Sequence, residues 1–139
     1  MTILVKALSL DMAKKMADAA EEKASEQGLK IVVAIMDDHG NLKYYRRMDG
    51  NNFVSVRMAQ LKAFTSASIP LSTKDLALRN EKMSNGPYLG IQGIVLLEGG
   101  LPIITKDGQH IGAIGISGAS PELDGSCAQA ALDSIANDL

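Results

Sequence analysis

The sequence predicts an α+β domain, a five-stranded and mainly antiparallel sheet flanked by helices. Three observations predict it. Apolar repeats of helical period stand near the start, in the middle and at the end of the chain. Between them lie short apolar and β-branched runs bounded by Gly, Asn, Asp and Pro. Most of these runs are linked by turns of a few residues, which join antiparallel neighbours, whereas parallel strands need long crossovers. The chain has 139 residues with no internal repeat, low-complexity tract or linker, so residues 1–139 are expected to form one domain.

The first helix is expected over Asp11–Gln27. Ala13, Met16, Ala17, Ala20 and Ala24 recur at helical spacing, Ser9 is placed to cap the start, and Gly28 supplies the left-handed residue that stops it. Ile31–Met36 is a β-branched run that reads as a buried strand. Asp38-His39-Gly40-Asn41 is turn chemistry, and Leu42–Met48 reads as the second strand of a hairpin. Alternation places Tyr45 and Arg47 on one face, with Tyr44, Arg46 and Met48 on the other. Asp49 to Asn52 is a loop ending at a helix cap.

A second helix is expected over Phe53–Ile69, ended by Pro70. It shows two stripes. Val54, Met58 and Leu61 form an apolar one, expected to be largely buried, and Ala59, Ala63, Ser66 and Ala67 form one of small residues. Ser72 or Thr73 caps a shorter helix reaching about Lys82. Gly93–Leu97 then reads as the third strand, Gly99-Gly100 as a tight turn, Leu101–Thr105 as the fourth strand and His110–Ser117 as the fifth. Pro102 suits an edge, and Gly112 and Gly115 mark bends or close packing. Ser120-Pro121-Glu122 opens the last helix, buried through Ala128, Ala131, Leu132 and Ile135.

Composition narrows the function classes. Aromatic residues make up 4% of the chain and Trp is absent, so the core is filled by aliphatic residues, Ala and Met. The formal net charge of −2 and the lack of a basic stripe with interleaved aromatics argue against nucleic acid as a partner. No apolar run approaches a membrane span of about 20 residues. Met1–Leu10 is too short and too weakly apolar for a signal peptide. Cys127 is the only cysteine, so no intrachain disulfide forms, and a reducing, cytoplasmic setting is expected.

Asp37-Asp38-His39-Gly40-Asn41-Leu42, followed by Arg47-Met48-Asp49-Gly50, resembles the signature of the GlcG/HbpS haem-binding-type family, which includes the C-terminal domain of PduO proteins. Three further stretches agree: Lys62-Ala63 with Thr65-Ser66-Ala67, Glu98-Gly99-Gly100-Leu101-Pro102-Ile103, and Ile111 through Gly118. The likeness covers nearly the whole chain. It implies a five-stranded antiparallel sheet with helices on its faces, assembly into homo-oligomers, and roles in glycolate, propanediol (diol) or glycerol pathways or in haem sensing. Some members bind haem, in cases through a His near the first helix. That helix carries Met12 and Met16 here and no His.

Several residues are candidates for binding. His39 and His110 are the only histidines, and imidazole is a common axial ligand of haem iron. Each also sits where turn chemistry explains it, and two isolated histidines do not make a zinc site, so no metal centre is expected. Arg47, Asp49 and Lys62 form a more specific set. Lys62 lies on a helix face expected to be buried, where an ammonium needs a partner. One reading is an ion pair of Lys62 with Asp49 or Asp37 that locks the helix onto the hairpin. The other is a cationic corner, with Arg47, for a carboxylate or propionate. The two are compatible.

Glu98 and Lys62 are also the candidates for acid–base chemistry, although Gly99-Gly100 beside Glu98 is ordinary turn sequence. The Gly112, Gly115, Gly118 spacing is not a dinucleotide fingerprint. Cys127 lies near a helix start, which lowers a thiol pKa, yet free cysteines are commonly inert core. No standard catalytic motif stands in the chain. The expected function is an oligomeric accessory protein that binds haem, another tetrapyrrole or a small carboxylate. The alternative is a small acid–base enzyme, an isomerase or tautomerase.

Overall fold

A computed structural model describes residues 6–139, so the N-terminal part of the Met1–Leu10 stretch lies outside the described residues. The order is α1 (Leu10–Glu26), β1 (Val32–Asp37), β2 (Leu42–Arg47), α2 (Phe53–Ser68), α3 (Thr73–Glu81), β3 (Gly100–Ile104), β4 (His110–Ser117) and α4 (Pro121–Ser134). Short 3-10 turns at Pro87–Gly90 and Ala136–Asp138 complete it. Four strands form one sheet in the order β2-β1-β4-β3, and every neighbouring pair is antiparallel.

Helix starts follow the sequence. The side chains of Ser9, Asn52, Ser72 and Ser120 accept from Met12, Ser55, Asp75 and Leu123 N–H groups, so each satisfies an amide the helix itself leaves unpaired. Gly28, at φ +70°, follows the C-cap of α1.

β1 is buried along nearly its whole length because it feeds two cores. Ile31, Val33 and Ile35 join Ile114 and Ile116 under α1 and α4, which supply Met16, Ala17, Ala20, Ala128 and Ala131. Val32, Ala34 and Met36 join Ala113 on the opposite face, under Ala59, Ala63 and Ala67 of α2. The alternation expected for β2 holds: Tyr44 packs on the first core and Tyr45 on the second.

Three expectations are corrected. Gly93–Leu97 is not a strand, which leaves four strands among the described residues rather than five. Its backbone bonds elsewhere: Ile94 N–H donates to the Ile91 carbonyl (3.2 Å) and Val95 N–H to Thr65 Oγ1 of α2 (3.0 Å), while Gly93 takes φ +86°. A chain pinned to a helix hydroxyl has no free amide row to offer a sheet. Gly99-Gly100 is not a hairpin turn either. Ile116 N–H donates to Gly99 O (2.9 Å) and Gly100 is the first residue of β3, so both lie in the ladder.

The third correction concerns α2. Its small-residue stripe meets the sheet, whereas Val54 is 58% exposed and Phe53 is 95% exposed. The cause is backbone approach. A Cβ added to Gly115 would strike the Ala59 carbonyl and the Ala63 amide, so α2 rests almost directly on β4. Ala59, Ala63 and Ala67 fill this contact, and Phe53 and Val54 turn outward.

Gly115→Ala should therefore force α2 off β4 and destabilise the fold by about 1–3 kcal/mol, the usual cost of overpacking. Urea unfolding monitored by circular dichroism checks this, with Gly90→Ala, where an added Cβ meets nothing within 4 Å and φ is not positive, as the comparison for glycine replacement without overpacking.

Candidate functional site: a buried ion pair and an apolar cavity

Lys62 is buried, as its neighbours in the sequence suggested, but its partner is neither Asp49 nor Asp37. Its Nζ donates to Asp124 Oδ2 (3.0 Å) and to the Ile116 carbonyl (2.9 Å), and both charged side chains are 2% exposed. Asp124 lies in the first turn of α4, where a negative charge is favoured by the helix dipole. Its other oxygen accepts from Ala119 N–H (2.9 Å). The pair thus ties α2 on one face of the sheet to α4 on the other.

Asp37 is unavailable because it builds the β1–β2 turn, accepting from His39 N–H (2.9 Å) and Asn41 N–H (3.0 Å). Slight burial raises its pKa, but the hydrogen bonds from Asn41 and His39 outweigh that and hold it below the ordinary value. Asp49 and Arg47 are exposed. Arg47 pairs with Val32, which pairs in turn with Ser117, so it stands two strands away from β4. Among the described residues, Lys62 makes no ion pair with Asp49. The neighbouring Arg46 is the arginine with partners, bonded to Asp18 (2.7 Å) and placed over the Tyr44 ring.

Glu98 comes close to this pair. Its carboxylate packs over Gly125 of α4, where a Cβ would collide with it, and its negative charge acts on Asp124. Burial first, and then Glu98, push the Asp124 carboxyl up, against the opposing pull of Lys62 and Ala119. Gly99 must be a glycine here, because a Cβ at its φ of +133° would lie 2.6 Å from the Ile116 carbonyl and 2.8 Å from Lys62 Nζ. Above the pair opens a polar cleft of about 450 Å³, bounded by Glu98, Gly99 and Gly100, by Ser72 and Asp75 of the α3 start, and by Gln129 of α4. Sequence reasoning singled out Lys62 and Glu98 but missed Asp124, whose only signal was an acid just inside a capped helix.

The histidines lie elsewhere. His39 stands on the β1–β2 turn with its side chain 80% exposed and Nδ1 3.2 Å from Asp38. The carboxylates of Asp37 and Asp38 and the His39 ring bring ligand atoms within 4.8 Å of one another, an arrangement the turn itself explains. His110 opens β4 at the same end of the sheet. Its Nε2 is buried with no hydrogen-bond partner among the described residues. Cys127 is fully buried, and that burial, reinforced by the Asp124 charge, pushes its thiol up rather than down. The helix start therefore does not activate it.

A second opening was not read from the sequence. A cavity of about 630 Å³ lies against the outer side of α2. Phe53, Val54, Leu61 and Phe64 of α2 and Met36 of β1 give it an apolar wall, and Arg57 and Gln60 add polar groups. Phe64 lies over two glycines: a Cβ on Gly93 would lie 3.0 Å from its ring, and one on Gly40 3.5 Å. The signal that could have found this wall was the Val54 and Leu61 stripe, once it is seen to face outward.

Comparison with known proteins decides the lineage. The sequence pattern of the family described as haem-degrading, HbpS-like proteins matches residues 8–133. This chain belongs to the HbpS-like family. The uncharacterised 15.0 kDa protein of the dhaT-dhaS intergenic region of Citrobacter freundii is 36% identical over 129 residues, covering 91% of this chain and 90% of that one. Protein GlcG of Escherichia coli K12 is 34% identical over 112 residues, covering 79% of this chain and 81% of GlcG. A crystal structure of a PduOC–haem complex superimposes with a TM-score of 0.85 at 33% identity, covering 94% of this chain and 96% of the other. The HbpS-like chain is thus α+β with an antiparallel sheet flanked by helices. No helix of the described residues is long and apolar enough to cross a membrane.

Whether haem suits this HbpS-like chain is a question of lining chemistry. The apolar cavity fits a flat hydrocarbon ring with acidic substituents, since aromatic faces and a guanidinium meet there. It does not present imidazole, thiolate or phenolate to an iron, because its lining contains no His, Cys or Tyr.

Two outcomes follow from the buried pair. Lys62→Met leaves Asp124 an uncompensated buried charge and should cost about 3–5 kcal/mol at pH 7, whereas Lys62→Met with Asp124→Leu should recover most of it. Thermal and urea unfolding measure both. The pH dependence has a defined sign. The Asp124 pKa is raised by burial above its ordinary 3.8, so the native state keeps this proton to higher pH than the unfolded chain does. Its contribution to stability is fully present below 3.8 and is lost as pH climbs through the raised native value. The stability of wild type relative to Asp124→Asn should fall across that window.

Proposed function

We propose that this chain is a ligand-binding subunit of a homo-oligomer, holding haem or a related tetrapyrrole in the apolar cavity on α2 and serving a small-metabolite pathway such as glycolate, diol or glycerol use. The observation that carries the reading is the cavity itself, an aromatic and aliphatic hollow of about 630 Å³ with one guanidinium in its wall. Its size lies in the range of about 300–1,000 Å³ typical of sites for compact organic ligands. The crystal structure of the PduOC–haem complex, a structural relative with its ligand, supports the choice of tetrapyrrole.

Assembly is supported by apolar surface. Phe53, Val54 and Phe64 are exposed on one helix, and Leu78, Leu89 and Ile91 add to the apolar residues in contact with solvent. Exposed apolar area of this kind commonly marks an interaction surface. The pathway assignment draws on GlcG and on the Citrobacter relative between dhaT and dhaS. Titration with hemin should give a saturable Soret shift, weakened at least about tenfold by Phe53→Asp, since burying an aromatic face contributes more than about 1.4 kcal/mol. Light scattering should show a multimer. An unchanged spectrum, or a monomer, would defeat the corresponding half of the proposal.

A second reading has its own observation. Glu98 lines the polar cleft, and the buried Asp124–Lys62 pair lies close behind it, where the Glu98 charge acts on Asp124; Glu98 is the residue an acid–base enzyme would use on a hydroxy or carboxylate metabolite. It expects proton exchange from such a metabolite, followed by NMR in deuterated water, to vanish in Glu98→Gln. Equal exchange in the variant would remove it.

A further inference from the structure

The donor inventory around the apolar cavity supports a statement about what part of a tetrapyrrole is recognised. Iron in haem proteins is held by imidazole, thiolate, phenolate or, in some cytochromes, a thioether beside an imidazole. The one such group in this wall is the Met36 thioether, on a residue 7% exposed. His39 stands on a turn, its ring turned to solvent, and His110 opens β4 without lining the cavity. Cys127 is a residue of α4, buried in the opposite layer of the protein. Tyr45 lies on the same face of the sheet as α2, but its hydroxyl is committed to the Val56 carbonyl (3.2 Å).

The wall has what the periphery of such a ring needs. Phe53 and Phe64 offer aromatic faces, Leu61 and Val54 offer hydrocarbon, and Arg57 offers a fork that pairs with a carboxylate. The Phe64 ring packs over Gly40 and Gly93.

We infer that the cavity recognises a flat apolar macrocycle by its hydrocarbon surface and its acid substituents, not by a metal at its centre, so that a metal-free porphyrin is a ligand in its own right. The inference rests on the ligand-binding reading above and narrows it. Arg57 takes a propionate, the phenyl rings cover the macrocycle, and whatever occupies the ring centre contributes little to affinity.

The chain has no Trp, and the emission of metal-free protoporphyrin IX serves as a direct readout. Titration of the full chain with protoporphyrin IX and, separately, with hemin should give saturable binding of both, with dissociation constants within about tenfold of each other. Arg57→Glu, at an exposed position that leaves the fold intact, should weaken both by about 10- to 100-fold, the worth of a charge-assisted hydrogen bond. It should leave binding of the protoporphyrin dimethyl ester unchanged, because that ester has no carboxylate to lose. His39→Ala and His110→Ala should bind both acids as the wild type does. Binding of hemin without binding of protoporphyrin IX would overturn the inference and leave the haem reading standing. Binding of neither would overturn both.

Discussion

The close approach of α2 to β4 is the constraint on which the other features depend. Gly115 lets the Ala59 carbonyl and the Ala63 amide sit where a side chain would otherwise be. A helix that near to a sheet can place only Ala or Ser between itself and the strands, so its bulky apolar residues are turned away. The same tight contact produces an alanine seam inside and an aromatic wall outside.

Depth also explains the ion pair. On a helix pressed against β4, Lys62 has no route to water, and its ammonium reaches the Ile116 carbonyl and the Asp124 carboxylate instead. Such a pair is a poor source of net stability, because desolvating two charges offsets most of their attraction. Its effect is to fix register. It ties α2 to the first turn of α4, while Gly99 must lack a side chain to pass over the ammonium. Thr65, one turn along α2, captures Val95 and thereby removes the segment before β3 from the sheet. One helix therefore sets the strand count, the polar cleft and the bond across the layers.

The two openings have different chemistry because they lie on different flanks of this arrangement. The cleft beside Glu98 takes its polarity from Lys74, Asp75, Glu98 and Glu122. The cavity beside Phe64 inherits the hydrocarbon the helix excludes. A tetrapyrrole acid suits the second, since most of its surface is apolar and its charges lie at the rim. A small polar metabolite suits the first. The chain thereby presents hollows of unlike polarity, one walled by α2 and the other by the α3 start, Glu98 to Leu101 and α4, and the residues lining one are not those lining the other.

Local signals were legible in the sequence wherever the physics is local. Capping serines, the Gly28 stop, the alternation of β2 and the Asp38–Asn41 turn depend on neighbours within a few residues, and all stand as read. The family likeness was legible too, because its motifs are contiguous, and so was the burial of Lys62, flanked as it is by apolar neighbours on a helix. The partner of Lys62, the number of strands, the inward stripe of α2 and the apolar cavity were decided only by the tertiary structure. Periodicity shows that a helix has two faces but not how near a sheet will come to either. Gly115 sets that distance for Ala59 and Ala63, and it lies far from both along the chain, where no local pattern connects them.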